Sequence, residues 1–247
     1  MNAMTTPGQN DVLNLIKLIR PWAMSRTPKV RIGNNYDGGY VVPATVLDCD
    51  AVVSIGVGPD VSFDLVLAER GARILQFDHT VEGTPQKHAN FTFAKLGWGQ
   101  KTEGEFISFD EIYARLMALN PKRSLLKFDI EGGEYDVLET TRLEHLAAFD
   151  VIACEIHDIE RLSDPEFFAK VRRTFEKLTT HHVPVHLHAN NYQSVILVEG
   201  VPIPKVLELS FLRKDLDHFR ALSSDPIPGP LDRPNHPGLP DICMNPF

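Results

Sequence analysis

The chain has 247 residues, 43% hydrophobic and 23% charged, the balance of an ordinary globular protein with one large domain or a domain plus appendages. A formal net charge of -8 argues against a nucleic-acid partner, whose phosphates would call for a basic face. No apolar run approaches the roughly 18 residues of a membrane span, so no membrane partner is expected. The opening MNAMTTPGQN lacks the basic-then-apolar layout of a signal peptide. Cys49, Cys154 and Cys243 lie far apart without metal-ligand spacing and read as free thiols of a reducing compartment, which places the protein in the cytoplasm.

Residues 1–10 are expected to be disordered. Val12, Leu15, Ile16 and Ile19 then recur at helical spacing, and Pro21 ends that amphipathic helix. Val30 to Val42 reads as two short strands around an Asn/Asp/Gly turn. The same turn, Asp37-Gly38-Gly39-Tyr40, also offers amides, a carboxylate and an aromatic face to a ligand, and the two readings stand side by side.

The most informative stretch is Ala51 to Thr80. A buried strand, Ala51–Ile55, runs into Gly56-Val57-Gly58-Pro59-Asp60, a helix follows, and a second strand ends in Asp78. The glycines let the backbone approach a ligand, and Asp78 lies 22 residues past Gly56, near the ~20 expected of an acid on a ribose hydroxyl pair. Val61 stands where the dinucleotide fingerprint needs glycine, and Pro59 and Asp60 occupy ground a pyrophosphate would want as bare amides. An adenosine-containing cofactor without phosphate fits. The bland alternative is a structural turn with Asp78 capping a loop.

Residues 81–104 give no register, although Phe91, Phe93, Leu96 and Trp98 should be partly buried. Glu105–Ile107 reads as a strand, and Ser108 with Glu111 as a capping box opening a helix whose first turn carries Asp110. Ser124 to Phe128 is another buried strand, running into Asp129, Glu131, two glycines and Glu134. Carboxylates crowded at a strand's C-terminal end are costly unless something cationic arrives. On this reading Asp129 is functional; the bland alternative has Glu134 capping the following helix and Glu131 solvated. Phe149 to Cys154 is the next strand and delivers Glu155 and His157 to the same edge. An amphipathic helix with Phe167, Phe168, Val171, Phe175 and Leu178 on one face follows. The strand after it sets His186 and His188 on one side, an arrangement that suits a metal, and ends in Asn190 and Asn191. His181 and His182 receive no role. Val195–Val198 and Val206–Leu212 are expected to finish the sheet. The Pro-rich tail from Asp225 lacks a core of its own and should wrap the body or a neighbouring subunit, so a homo-oligomer is admitted. Alternating strands and helices mean an α/β fold, doubly wound around a mostly parallel sheet. A single domain is expected over 1–247, with a helical extension at 1–30, a core at 31–214 and the tail at 215–247.

Asp129-Ile130-Glu131-Gly132-Gly133-Glu134 followed by Val137-Leu138 resembles the Asp-x-Glu-Gly-x-Glu signature of FkbM-type S-adenosylmethionine-dependent methyltransferases. Ser108-Phe109-Asp110, Glu155-Ile156-His157 and Leu207-Glu208 to Arg213-Lys214 fall in that family's order, and Asp37-Gly38-Gly39-Tyr40 is similar to its relatives. The resemblance spans Arg31 to Lys214. It implies a seven-stranded class I (Rossmann-like) sheet with an antiparallel last strand, and O-methylation of a small-molecule hydroxyl, a sugar or glycan above all. It departs at Ser54, where the family usually carries an acid, so Asp37 becomes the substitute for contact with the cofactor's ammonium. The implied cofactor contacts are Asp37, Gly38, Tyr40, Ser54, Gly56, Gly58, Asp78, His79 and Asp129. His157, Asp129 and Glu155 are the candidate catalytic residues. The same three are the ligands if Mg2+ binds vicinal hydroxyls, since hard oxygens suit magnesium. Glu131, His188, Asn190 and Asn191 are the candidate substrate contacts.

A sulfonium is already a strong electrophile, so what remains is in-line positioning and an activated acceptor oxygen, with His157 as base. Two alternatives stand beside this. A metal-dependent hydrolase would use Asp129, Glu155, His157 and His188, and a non-catalytic nucleoside-binding module would need none of them.

Overall fold

The computed structural model describes residues 5–245. Seven strands form the central sheet: β1 (Ala51–Ile55), β2 (Arg73–Phe77), β3 (Phe91–Ala94), β4 (Ser124–Phe128), β5 (Val151–Ile156), β6 (His182–Ala189) and β7 (Leu207–Arg213). Their spatial order is β6-β7-β5-β4-β1-β2-β3, with β7 antiparallel to both neighbours and the other pairs parallel. This is the expected doubly wound, mostly parallel sheet with one reversed strand.

The period of two along each strand divides the core between the faces. Val52, Ile74, Leu125 and Val151 pack on one side with Phe63 and Leu67 of the helix α2 (Ser62–Glu69). Val53, Leu75, Leu126 and Ile152 pack on the other. That second face is covered by α1 (Gln9–Ile16), α3 (Phe109–Ala118), α4 (Glu134–Thr140), α5 (Leu143–Leu146) and α6 (Pro165–His181). The longest of these, α6, starts at Asp164, whose side chain accepts from the amides of Glu166 (2.8 Å) and Phe167 (3.2 Å) just before Pro165. Chain order reverses between β1 and β4. The carboxyl ends of β1, β2, β4 and β5 therefore open into the crevice where ligands of such sheets bind.

Several expectations need correction. Residues 9 and 10 belong to α1, so the expected disorder fails there, and residues 1–4 lie outside the described part. Val195–Val198 leaves the sheet and pairs with Val201–Pro204 in a separate antiparallel hairpin. Its two-residue turn, Glu199 (φ 49°) and Gly200 (φ 81°), has the left-handed pair that closes a hairpin locally, before the strand can reach the sheet. Phe106–Ser108, the strand expected near 105–107, pairs with Gly97–Gly99 away from the central sheet. The third central strand instead comes from the stretch that gave no register. Ser108 does cap α3, accepting from the Glu111 amide at 3.4 Å, but its own amide goes to Thr102 Oγ1 (3.0 Å). The expected hairpin of Lys29–Ile32 with Tyr40–Pro43 forms. No helix of the described residues is long and apolar enough to cross a membrane.

Candidate active site

The glycine turn begins where β1 meets β4. Gly56 has φ 78°, its amide donates to the Phe77 carbonyl at 2.9 Å, and a Cβ there would stand 1.6 Å from the Asp129 carbonyl oxygen. Only glycine allows that approach. Beside Gly58 the space is open. Asp78, at the end of β2, points back at the turn. One carboxylate oxygen accepts the amides of Val57 (2.9 Å) and Gly58 (3.0 Å), the other the Thr80 amide and hydroxyl (both 2.7 Å). Burial would raise this carboxyl, but those donors outweigh it and hold it below its usual value. One oxygen thus braces the glycine turn, and the other caps Asp78's own loop at Thr80.

Ser54 is buried in register with Gln76 and Lys127 on the neighbouring strands. Behind it Asp64 of α2, itself buried, accepts from Gln76 Nε2 at 2.7 Å. Burial holds Asp64 above the ordinary carboxyl range. Lys127 Nζ donates to the Gly56 carbonyl (2.9 Å) and lies 5.7 Å over the Tyr40 ring. The loop carrying Asp37 and Gly38 is tied to the turn through Asn34 Nδ2, which donates to Asp60 at 3.0 Å. His79 packs its ring against Phe106, 4.9 Å between centroids.

The ends of β4 and β5 bring Asp129, Glu131, Glu155 and His157 together. Left-handed residues Glu131 (φ 56°) and Gly132 (φ 102°) fold the chain after β4 sharply. Glu134 can then reach back to the amides of Ile130 (3.4 Å) and Gly132 (3.2 Å). Fully buried, it also holds His157 Nδ1 at 2.9 Å. Tyr135 fixes the same residue from behind, donating its hydroxyl to the His157 carbonyl at 2.6 Å. The other nitrogen, Nε2, faces Glu131 (3.4 Å), Glu155 (3.7 Å) and Asp129 (3.8 Å). Burial would lower the imidazole's pKa, but Glu134, Asp129 and Glu131 outweigh it and raise it. Glu155 is pushed well above the carboxyl range by burial and by the charges of Asp129 and Glu208. Its Oε1 accepts from Asn190 Nδ2 at 2.6 Å. Glu131, although largely exposed, is raised as well, by partial loss of water around its carboxyl and then by the charge of Asp129.

Two groups of donors lie close enough to share a cation. One oxygen or nitrogen each of Asp129, Glu134 and His157, and one oxygen each of Asp37, Glu155 and Glu208, fall within 4.8 Å of one another. The expected metal trio of Asp129, Glu155 and His157 is divided between them.

His188 and Asn191 are placed otherwise than the sequence suggested. His188 is fully buried, Nδ1 on Glu208 (3.0 Å) and Nε2 on Asp241 (3.0 Å). Burial opposes its charge, but the two carboxylates prevail and raise it to about 10. The pair His186–Asp232 (2.8 Å) repeats the clasp two residues earlier. Asn191 donates to the carbonyls of His236, Leu239 and Pro240 and accepts the His236 amide at 2.7 Å. The Pro-rich tail is therefore strapped onto its own chain by these side chains. His188 does not join the Asp129 cluster that a hydrolase would need. The residues missed by sequence reasoning are Glu134, given only a capping role, Tyr135, Lys127, Glu208 and Asn235. Glu134 and Tyr135 were within reach, because they close the acidic motif; nothing local marks the tail's Asn235.

A family model described as the methyltransferase FkbM domain matches residues 42–182, more than half of the chain. No curated protein matches. Among solved structures the chain is similar to one in the crystal structure of a fibrillarin/Nop5p complex, at 10% identity and a TM-score of 0.41, covering 76% of this chain and 93% of that one.

Proposed function

The chain belongs to the FkbM methyltransferase domain family, whose methyl donor is S-adenosylmethionine, and from that premise we propose that it methylates a hydroxyl of a small molecule, a sugar or glycan. The observation that carries this reading is His157. Its Nδ1 is held by a buried carboxylate, and Nε2 faces the acid-rich end of the parallel strands. A histidine oriented in this way suits removal of a proton from an acceptor hydroxyl. The bound sulfonium would supply the electrophilic methyl, and the residues of this chain would align the attacking oxygen and take its proton at Nε2. Asp129, Glu131 and Glu155 would accept hydrogen bonds from neighbouring hydroxyls, which is why a polyhydroxylated acceptor fits better than an isolated alcohol. Asn190 would steady Glu155 rather than meet the substrate itself.

Were a magnesium ion to take part, Asp129 and His157 with Glu134 would hold it, Glu155 belonging to the other donor group, and it would polarise vicinal hydroxyls. Removal with EDTA followed by readdition of Mg2+ separates that arrangement from a metal-free one. The principal test is calorimetric titration with S-adenosylhomocysteine, followed by transfer of labelled methyl to a panel of sugars and glycosides. Micromolar binding with methyl-ether product supports the reading. No binding of S-adenosylhomocysteine, with or without magnesium, sinks it.

A further inference from the structure

The second carboxylate group is assembled from distant parts of the chain. Asp37 comes from the loop before Tyr40, Glu155 from β5 and Glu208 from β7. Among the described residues no lysine or arginine forms an ion pair with any of the three; Glu155 faces only His157, and Glu208 only His188. Burial, then Glu208 and Asp129, lift Asp37 above its ordinary range despite the bond it accepts from Asn235. The group gathers three carboxylates, one oxygen of each within 4.8 Å of the others, a spacing that one cation could bridge.

Asn235 enters this group from the tail. It is 1% exposed. Its Nδ2 donates to Asp37 Oδ1 (3.1 Å) and to Glu208 Oε1 (2.5 Å), and its main-chain carbonyl accepts the Asp37 amide (3.3 Å). Its Oδ1, also buried, has no donor. A buried acceptor left without a donor is costly. An ammonium group arriving here would fill Oδ1 with an N–H and neutralise the carboxylates at once.

We propose that the C-terminal tail forms a wall of the cofactor site, with Asn235 positioning Asp37 and accepting an N–H from the ammonium of the cofactor's amino-acid end. The inference rests on the methyltransferase reading and on Asp37 as the partner of that ammonium. Asp37 suits the part, because its loop is tied to Asp60 of the glycine turn at one end and to the tail at the other. Residues 42–182 match the family model, so this wall lies outside the matched segment.

The test compares two probes, S-adenosylhomocysteine and 5′-methylthioadenosine, which shares the nucleoside and thioether but lacks the amino-acid end. Calorimetry on the full chain is expected to show Asn235→Ala weakening S-adenosylhomocysteine roughly tenfold while leaving methylthioadenosine within about twofold. Asp37→Asn should do the same, and the double variant should lose less than the sum, since both side chains serve one group. An equal loss for both probes, or none for either, overturns the proposal and leaves the tail a packing element. If the unsubstituted protein binds methylthioadenosine and S-adenosylhomocysteine equally, the proposal fails while the methyltransferase reading stands. If it binds neither, both fail. Circular dichroism and a cooperative melt check folding, and Asn235→Ser enters the same comparison should the alanine variant not fold.

Discussion

Two histidines at the same end of the sheet show how differently one residue type is used. His157, after β5, has one nitrogen fixed by Glu134 and the other 3.4 to 3.8 Å from three carboxylates. His188, near the end of β6, has both nitrogens within 3.0 Å of carboxylates and no exposure at all. The first is an oriented group with a free working face; the second is a buried cation that locks Glu208 to the tail. A histidine's partners, and not its proximity to acids, decide whether it does chemistry or holds the fold.

The largest effect that would break this contrast is on turnover. His157→Gln keeps a donor for Glu134 and removes the base, so methyl transfer should fall roughly a thousandfold with S-adenosylhomocysteine affinity little changed. Initial rates alongside calorimetry measure it. A loss under tenfold would remove His157 from the chemistry. His188→Gln should do the reverse. It leaves Glu208 and Asp241 short of a cation, at a cost of about 3 kcal/mol in urea unfolding, taken from the low end of the range because Asp241 is partly exposed. If stability did not change, the clasp would be ornamental and the tail held by its other contacts, those of His186, Asn191 and Asn235 among them.

The pH dependence of stability sharpens the same point along a single strand. His182, at the start of β6, hydrogen-bonds the Phe149 carbonyl at 2.8 Å, and burial lowers its pKa to about 4. A histidine lowered in the fold binds fewer protons there than when unfolded. Its contribution, about 3 kcal/mol, is present above pH ~6.5 and lost as pH falls toward 4. His188, raised to about 10, has the opposite sign: its contribution is full below pH ~6.5 and lost as pH rises through 10. Urea midpoints should therefore be highest near neutral pH. The acid-side slope should shrink in His182→Gln, and the alkaline slope in His188→Gln. Slopes that survive both substitutions would assign the pH dependence to other groups.

What the sequence made legible follows the range of the interactions. The unit from Ala51 to Asp78 is local: an apolar run, a glycine turn, a helix and a second run, each with its own period, and it folded as expected. Asp129, Glu155 and His157 could be placed at one edge because each directly ends a strand. The insertion of β7 between β5 and β6 and the departure of Val195–Val198 into a hairpin depend on pairing between segments that both look like strands, which no period resolves. The tail's contacts were hidden for a further reason. Asn235 meets Asp37 across 198 positions and Asp241 meets His188 across 53, through isolated polar contacts from a segment with no regular pattern. The Glu134 side chain was misread because the loop's left-handed turn, which aims it at His157, is set by residues 131 and 132 together.

The smallest expected effect tests the base most directly. Glu131 has a side chain 83% exposed, yet its carboxylate lies 3.4 Å from His157 Nε2 and helps to raise that imidazole's pKa against burial. A solvated charge contributes little energy, so Glu131→Gln should leave folding and maximal turnover nearly intact. It should still make His157 easier to deprotonate. If His157 is the base, activity is lost as pH falls through its pKa, and the variant's acid limb should move to lower pH by a few tenths of a unit. Asp129→Asn would move the limb the same way but would also disturb the acceptor's hydroxyl contacts, so only Glu131 separates tuning from binding. An acid limb that stays in place in Glu131→Gln, with full activity at its plateau, would assign that limb to another group and take the proton from His157.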